Sequence, residues 1–108
     1  MTETPSYRVF ITPQADREGR KLPGAMRQRI RRIIDELAEN PRPYNSIAMQ
    51  ITEPLTVEPR RIRVDGWRIL YIIDETWQEI SVLAIRKRPP YGYEDLAELL
   101  VEFENSDD

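Results

Sequence analysis

The sequence contains neither cysteine nor histidine among its 108 residues. Without cysteine it has no disulfides and no thiolate metal sites, a composition that fits a reducing cytoplasm. Without histidine it has no Ser-His-Asp triad, no histidine pair for cleaving RNA and no histidine-ligated metal. Any catalysis must therefore use arginine, lysine, tyrosine or carboxylates, and we expect neither a metal nor a cofactor.

Long apolar runs are missing as well. The longest nearly apolar stretch, residues 69–73, is far shorter than the ~20 residues that a membrane-spanning helix needs. The first residues lack the basic start and apolar centre of a secretion signal. Since a chain of this length has room for one core, we expect one cytoplasmic domain over residues 1–108 and no membrane partner.

The formal net charge of -3 hides an uneven distribution along the chain. Residues 1–92 carry sixteen basic and twelve acidic side chains, a net charge of +4, whereas residues 93–108 carry seven acidic and no basic ones. Fourteen of the basic residues are arginine, which suits bidentate binding of phosphate and is equally a feature of GC-rich genomes. The sequence therefore predicts a mildly basic body followed by an acidic C-terminal helix and tail from about residue 93.

Apolar spacing predicts an α+β fold in which helices pack on an antiparallel β-sheet, in the order β-α-α-β-β-β-α. Residues 44–59 show no sustained period and are predicted to be a long loop with a helical turn near residues 47–50. An Asp65-Gly66 pair predicts a hairpin turn. The predicted elements are strands at residues 7–11, 60–64, 67–73 and 79–85 and helices at residues 14–21, 23–39 and 93–103.

The ordered set of motifs resembles the RelE/ParE family of toxins of type II toxin–antitoxin systems. The strand pair at residues 61–74, RIRVDGWRILYIID, is similar to the family's basic-apolar-basic strand, tight turn and aromatic-Arg-aliphatic-aliphatic-Tyr strand. The exit LAENPRP at residues 37–43 is similar to the end of its second helix. VLAIRKR at residues 82–88 is similar to its last strand. The likeness runs in the same order from Tyr7 to about Leu100.

The resemblance implies a toxin that is neutralised by a cognate antitoxin, and it leaves three functions open. A RelE-like member is a ribosome-dependent mRNA endonuclease, which would bind mRNA and the ribosome. A ParE-like member inhibits DNA gyrase and cuts nothing itself. The third alternative is a fold relative that has lost toxicity.

The resemblance also assigns candidate site residues. Arg68 matches the arginine of the aromatic-Arg strand, where its planar guanidinium would bind the scissile phosphate and stabilise its charge. The alternative is a structural ion pair with a carboxylate such as Asp74. Arg61 and Arg63 match positions that often carry lysine, and two residues apart they lie on one face of the sheet. A solvated strand face is the competing interpretation.

Arginine stays protonated and is a very poor general base. Activation of the 2′-OH would therefore need placement alone, a carboxylate such as Asp65 or Glu58, or a group of the RNA or ribosome. Arg88, next to Lys87, matches a basic pair that contacts phosphate or protonates the leaving group. Tyr91 and Tyr93 both lie near the family's C-terminal tyrosine, which stacks on a base or bonds phosphate; packing of the last helix is the alternative.

Overall fold

A computed structural model describes residues 6–49 and 56–87 of the chain. In this part of the chain two helices lie on one five-stranded sheet. Among the described residues, no helix is both long and apolar enough to cross a membrane. The elements are β1 (Arg8–Ile11), α1 (Pro13–Arg20), α2 (Gly24–Glu36), β2 (Ser46–Ala48), β3 (Glu58–Val64), β4 (Trp67–Asp74) and β5 (Glu79–Lys87).

The α+β class is confirmed, with one correction to the sheet. The strand order is β1-β5-β4-β3-β2, and β3, β4 and β5 form the predicted antiparallel meander. β1 joins the outer edge of β5 in parallel, so the sheet is mixed rather than antiparallel. Pairing between strands so far apart in sequence depends on tertiary packing, which residue patterns do not encode.

The predicted helical turn near residues 47–50 is wrong. Ser46–Ala48 form the short edge strand β2, antiparallel to β3, with Ser46 opposite Ile62. Ser46 is buried, and its hydroxyl donates to the Pro43 carbonyl at 2.7 Å and accepts from Arg60. Three residues are too few to show an alternating pattern, so the strand is defined by its partner.

Local signals set the helix ends well. The Thr12 hydroxyl accepts from the Ala15 N–H at 3.3 Å, and Pro13 occupies the first turn of α1, as predicted. α2 ends at Glu36, three residues before the predicted end. Leu37, just beyond it, is still buried in the core.

The core lies between the helices and one face of the sheet. Burial of its aliphatic side chains is the main favourable contribution to folding. Tyr71 is buried among them, and its hydroxyl donates to the Pro41 carbonyl at 2.7 Å. The cluster comprises Ala15, Leu22, Ile30, Ile34, Leu37, Ile62, Val64, Ile69, Tyr71, Ile73, Ile80, Val82 and Ile85.

A bulge interrupts the pairing of β4 with β5. Tyr71 lies opposite Val82, but Leu70 lies opposite Ala84, so Leu83 is an extra residue in β5. The Thr12 hydroxyl donates to the Leu83 carbonyl at 3.3 Å, and Glu18 Oε1 accepts from the Ile85 N–H at 3.0 Å. Beyond the end of β1, the N-cap and a side chain of α1 therefore bond the edge of β5 and stabilise the bulge.

Candidate phosphate-binding site

Three arginines lie side by side on the sheet face that points away from the helices. Arg63 of β3 is opposite Arg68 of β4, and Arg68 is opposite Arg86 of β5. Directly opposed residues share a face, and neighbouring strands are about 4.8 Å apart, so this arginine row spans about 10 Å. Like charges in such positions repel one another. The arginine row is therefore suited to an anion.

Exposure decreases along the arginine row. Arg63 is exposed, Arg68 is partly buried, and Arg86 is only 7% exposed. Arg68 Nη1 donates to the Asp65 and Trp67 carbonyls, both at 2.9 Å. These bonds hold the Arg68 guanidinium against the hairpin turn, and within the described ranges it forms no ion pair with Asp74. The structural alternative for Arg68 is therefore not supported by the described contacts.

Arg61 lies on the same face of the sheet as the arginine row, two residues before Arg63 in β3. It is opposite Leu70 of β4 and Ile47 of β2. Ile62 and Val64 point the other way into the core, which confirms the predicted alternation of β3. Lys87 is exposed and lies opposite Trp67, which packs against the core, so Lys87 is on the other face of the sheet from the arginine row. Arg88, Tyr91 and Tyr93 are outside the described residues, as is the predicted last helix.

Two carboxylates were candidates for a general base, and the structure separates them. Glu58 begins β3, five residues from Arg63, which places it about 17 Å from the arginine row. Its carboxylate is bonded to Arg42 and Arg60, so Glu58 is not placed to act as a base for a phosphate on the arginine row. Asp65 lies in the hairpin turn with a φ of 54°, and its Oδ2 accepts from Arg29 at 2.8 Å. Of the two, Asp65 alone is next to the row in the chain, and its carboxylate is also engaged by an arginine, that of α2.

The far end of the sheet carries a separate polar cluster, which we call the Arg42 clamp (Tyr7, Arg42, Glu58, Glu75). Arg42 Nη2 donates to Glu58 at 2.9 Å and to Glu75 at 2.8 Å, and the Tyr7 hydroxyl donates to Glu75 at 2.7 Å. The hydrogen bond from Arg42 lowers the pKa of Glu58. The pKa of Glu75 is lowered as well, mainly by the hydrogen bond from Tyr7 and to a smaller extent by the one from Arg42. The clamp links the residue before β1, the segment after α2, the start of β3 and the turn between β4 and β5.

A concave surface lies between the helices. This helix groove has a volume of about 610 Å³. Two ion pairs, Asp16–Arg20 and Arg31–Asp35, lie along its rim. Arg27 and Arg32 add two further basic side chains to its lining. The groove floor is formed by Ile11, Ala15, Leu22, Ile30, Ile34 and Ile85.

Sequence reasoning missed Arg86 as a site residue. In a regular strand, Arg86 shares a face with Val82 and Ile80, which point into the core. The bulge at Leu83 reverses this alternation and turns Arg86 toward Arg68. The sequence around Leu83 carries no glycine or proline that would have indicated a bulge.

The fold is similar to that of solved toxin structures. The archaeal RelE-RelB complex from Pyrococcus horikoshii OT3 matches with a TM-score of 0.70 and 25% identity over 80% of this chain and 99% of that chain. The toxin-antitoxin complex RelBE2 from Mycobacterium tuberculosis matches with a TM-score of 0.63 and 23% identity, over 77% of this chain and 99% of that chain. A mutant of Escherichia coli toxin RelE in the free state matches with a TM-score of 0.57 and 21% identity, over 90% of this chain and 93% of that chain. At such low identity this match shows the fold alone.

Comparison with curated proteins finds no significant match. A family model described as "ParE toxin of type II toxin-antitoxin system, parDE" matches residues 9–89. That range is three quarters of the chain and contains every strand and helix described above except Arg8, the first residue of β1; it includes the arginine row. The chain therefore belongs to the RelE/ParE family of toxins of type II toxin–antitoxin systems.

Proposed function

We propose that this toxin is a cytoplasmic, ribosome-dependent mRNA endonuclease that cleaves by metal-independent, in-line attack of the 2′-OH. The observation that carries the proposal is the arginine row, which presents guanidinium groups from three neighbouring strands on one sheet face. A phosphodiester is an anion whose geometry matches planar guanidinium groups.

In the proposed reaction the 2′-oxygen forms a bond to phosphorus and the bond to the 5′-oxygen breaks, leaving a 2′,3′-cyclic phosphate and a 5′-hydroxyl. Arg63 and Arg68 orient the phosphate and stabilise the negative charge that builds on its oxygens. The 2′-OH proton passes to Asp65 or to a group of the RNA or ribosome. Arg61 adds positive charge, and Arg88 protonates the leaving oxygen. Tyr91 and Tyr93 remain candidates for stacking on a base or bonding phosphate.

Expression of the chain in bacteria tests the proposal. We expect growth arrest with cleaved mRNA, and we expect Arg68→Ala to abolish the arrest, because loss of one charge-stabilising donor lowers such rates by about 10²–10³-fold. Arg8→Ala is the matched control, since Arg8 is a strand arginine on the same face at the opposite end, paired with Glu79. Arrest that persists with folded Arg68→Ala would remove Arg68 from the site.

A ParE-like inhibitor of DNA gyrase is the second candidate. It is favoured by the description of the matching family model and by the chemistry of the arginine row, because guanidinium groups bind anions but do not act as general bases. The same expression experiment separates the two. Filamentation with DNA damage and intact mRNA would support gyrase inhibition, and normal growth would indicate a chain that has lost toxicity.

We propose that the helix groove binds the cognate antitoxin. Similar toxins are seen in complexes with RelB antitoxins, and the groove offers an apolar floor with four basic and two acidic rim side chains. An amphipathic antitoxin segment with acidic flanks fits that surface. Gln28 lines the groove, so Gln28→Trp should prevent rescue of growth by the antitoxin while arrest persists. Glu36→Trp, an exposed α2 residue that does not line the groove, is the control; rescue of both variants would contradict the proposal.

A further inference from the structure

We infer that Arg29 of α2 is a positioning residue for Arg68 and that it acts through Asp65 in the β3–β4 turn. Arg29 Nη1 donates to Asp65 Oδ2 at 2.8 Å, and the main-chain carbonyl of the same Asp65 accepts from Arg68 Nη1 at 2.9 Å. Asp65 therefore links the helix layer to the sheet face that carries the arginine row. The assignment rests on the proposed function, in which Arg68 binds an RNA phosphate.

The backbone of this turn differs from the one that an Asp-Gly pair ordinarily adopts. Asp-Gly favours the type I′ hairpin turn, in which both central residues have positive φ. Among the described residues, positive φ values belong to Asp65, at 54°, and to Gln78, but not to Gly66. Positive φ at the first central residue alone is the pattern of a type II′ turn, where that position is normally glycine. Asp65 therefore adopts a conformation that its own residue type disfavours.

The type of turn sets the direction of the Asp65 carbonyl. Types I′ and II′ differ by a rotation of the central peptide through about 180°, which reverses its carbonyl oxygen. In the observed turn this oxygen accepts from Arg68, and after the rotation it would point away from Arg68. A strained residue persists where its surroundings fix it. Here Asp65 is fixed by Arg29 at its carboxylate and by Arg68 at its carbonyl.

Phosphate binding benefits when Arg68 is fixed in advance. Arg63 lies opposite Arg68, and because like charges in that position repel, an unrestrained guanidinium would move away from its neighbour. A long side chain also loses rotamer freedom when it binds an anion. The Asp65 and Trp67 carbonyls hold Arg68 in place before a phosphate arrives, which lowers this entropic cost.

The exposure of the ion pair limits the size of the effect. The side chains of Arg29 and Asp65 are 53% and 65% exposed. Exposed pairs are weak, so loss of the link should reduce the affinity for RNA by no more than about fivefold. An effect of this size is best identified by its sign and by its dependence on both partners.

The sign is tested by binding of a short single-stranded RNA to the full chain, because binding requires no proton transfer to Asp65. Asp65→Asn removes a negative charge next to the arginine row, and the lost repulsion alone would strengthen binding of a phosphate. The same change weakens the link to Arg29 and gives an Asn-Gly pair, which favours the type I′ turn. We therefore expect binding to become weaker, by about two- to fivefold.

Dependence on both partners is tested by a double-mutant cycle. Arg29→Ala should weaken binding, Arg29→Lys should restore it because it keeps the charge, and Arg29→Ala combined with Asp65→Asn should bind no more weakly than either single variant. Arg31→Ala is the matched control, since it removes the same charge from the same helix but breaks a pair with Asp35. The effects of Arg31→Ala and Asp65→Asn should simply add.

Unchanged or tighter binding by Asp65→Asn would overturn the inference, and so would additive losses in the Arg29 cycle. NMR relaxation of the Arg68 Nε–H group, without RNA, is an independent measurement. This group should be rigid in the unsubstituted chain and mobile in Arg29→Ala, and equal mobility in the two would also overturn the inference. Arg68→Ala reports on the proposed function separately: if it weakens RNA binding while Asp65→Asn does not, only the role of Arg29 is discarded.

Discussion

Replacing Arg42 by alanine should destabilise the fold without touching the arginine row. Arg42 makes ion pairs to Glu58 and Glu75, and the three side chains are 41%, 34% and 53% exposed. Because partly exposed pairs contribute about 0.2–1 kcal/mol each, loss of both should lower the free energy of unfolding by about 1 kcal/mol. For a domain of this size that corresponds to a fall in Tm of about 4–8 °C.

The penalty should depend on pH in one direction. The pKa values of Glu58 and Glu75 are lowered from their ordinary value of 4.5. A carboxylate with a lowered pKa stabilises the folded state above its ordinary pKa, and this contribution is lost as the pH falls through the lowered value. The difference between the unsubstituted chain and Arg42→Ala should therefore be full at neutral pH and should shrink as the pH falls below 4.5.

Urea unfolding at neutral and acidic pH measures both effects. Arg31→Ala is the control, since its pair with Asp35 is on an exposed helix face, with both side chains about two thirds exposed or more, and should cost no more than about 0.5 kcal/mol. A penalty for Arg42→Ala that equals the control at neutral pH, or that grows toward acidic pH, would refute the assignment of the clamp as an electrostatic link.

Two further substitutions test the hairpin and the core. Tyr71→Phe should lower the free energy of unfolding by about 1–2 kcal/mol, because the Pro41 carbonyl loses its buried donor; urea unfolding measures it, and an unchanged midpoint would contradict the bond. Gly66→Ala should leave stability unchanged or raise it by about 0.4–1 kcal/mol, because the added methyl meets nothing within 4 Å and the positive φ belongs to Asp65. A clear loss of thermal stability would show that the turn needs glycine.

The parts of the fold that were predictable from sequence are those defined by local chemistry. Thr12 and Pro13 begin α1 through contacts within one helical turn. The hairpin of β3 and β4 follows from an Asp-Gly pair between two strands of alternating or apolar pattern. β2 and the parallel pairing of β1 with β5 were not predictable in this way, because both depend on contacts with strands distant in the chain.

In the structure, the arginines of the motifs that resemble the family lie at two different places in the sheet and have different roles. Arg68 lies in the arginine row, whereas Arg42, in the Asn-Pro-Arg-Pro exit that resembled the family equally well, lies in the clamp at the far end of the sheet. A motif match alone does not distinguish these cases, since both are arginines near carboxylates in sequence. Their positions in the fold do, and they predict different results: Arg42→Ala should change stability and Arg68→Ala should change toxicity.

Arg86 shows most clearly what a residue pattern leaves out. A strand that alternates without interruption assigns every second side chain to one face, so a single extra residue reverses the assignment of everything after it. Here the reversal occurs at Leu83, three residues before the basic end of β5, and α1 stabilises it through Thr12 and Glu18. The charge on the far sheet face therefore depends on contacts made by a helix on the near side. For this reason the strand register, and not the sequence pattern, shows that Arg86 lies in the arginine row.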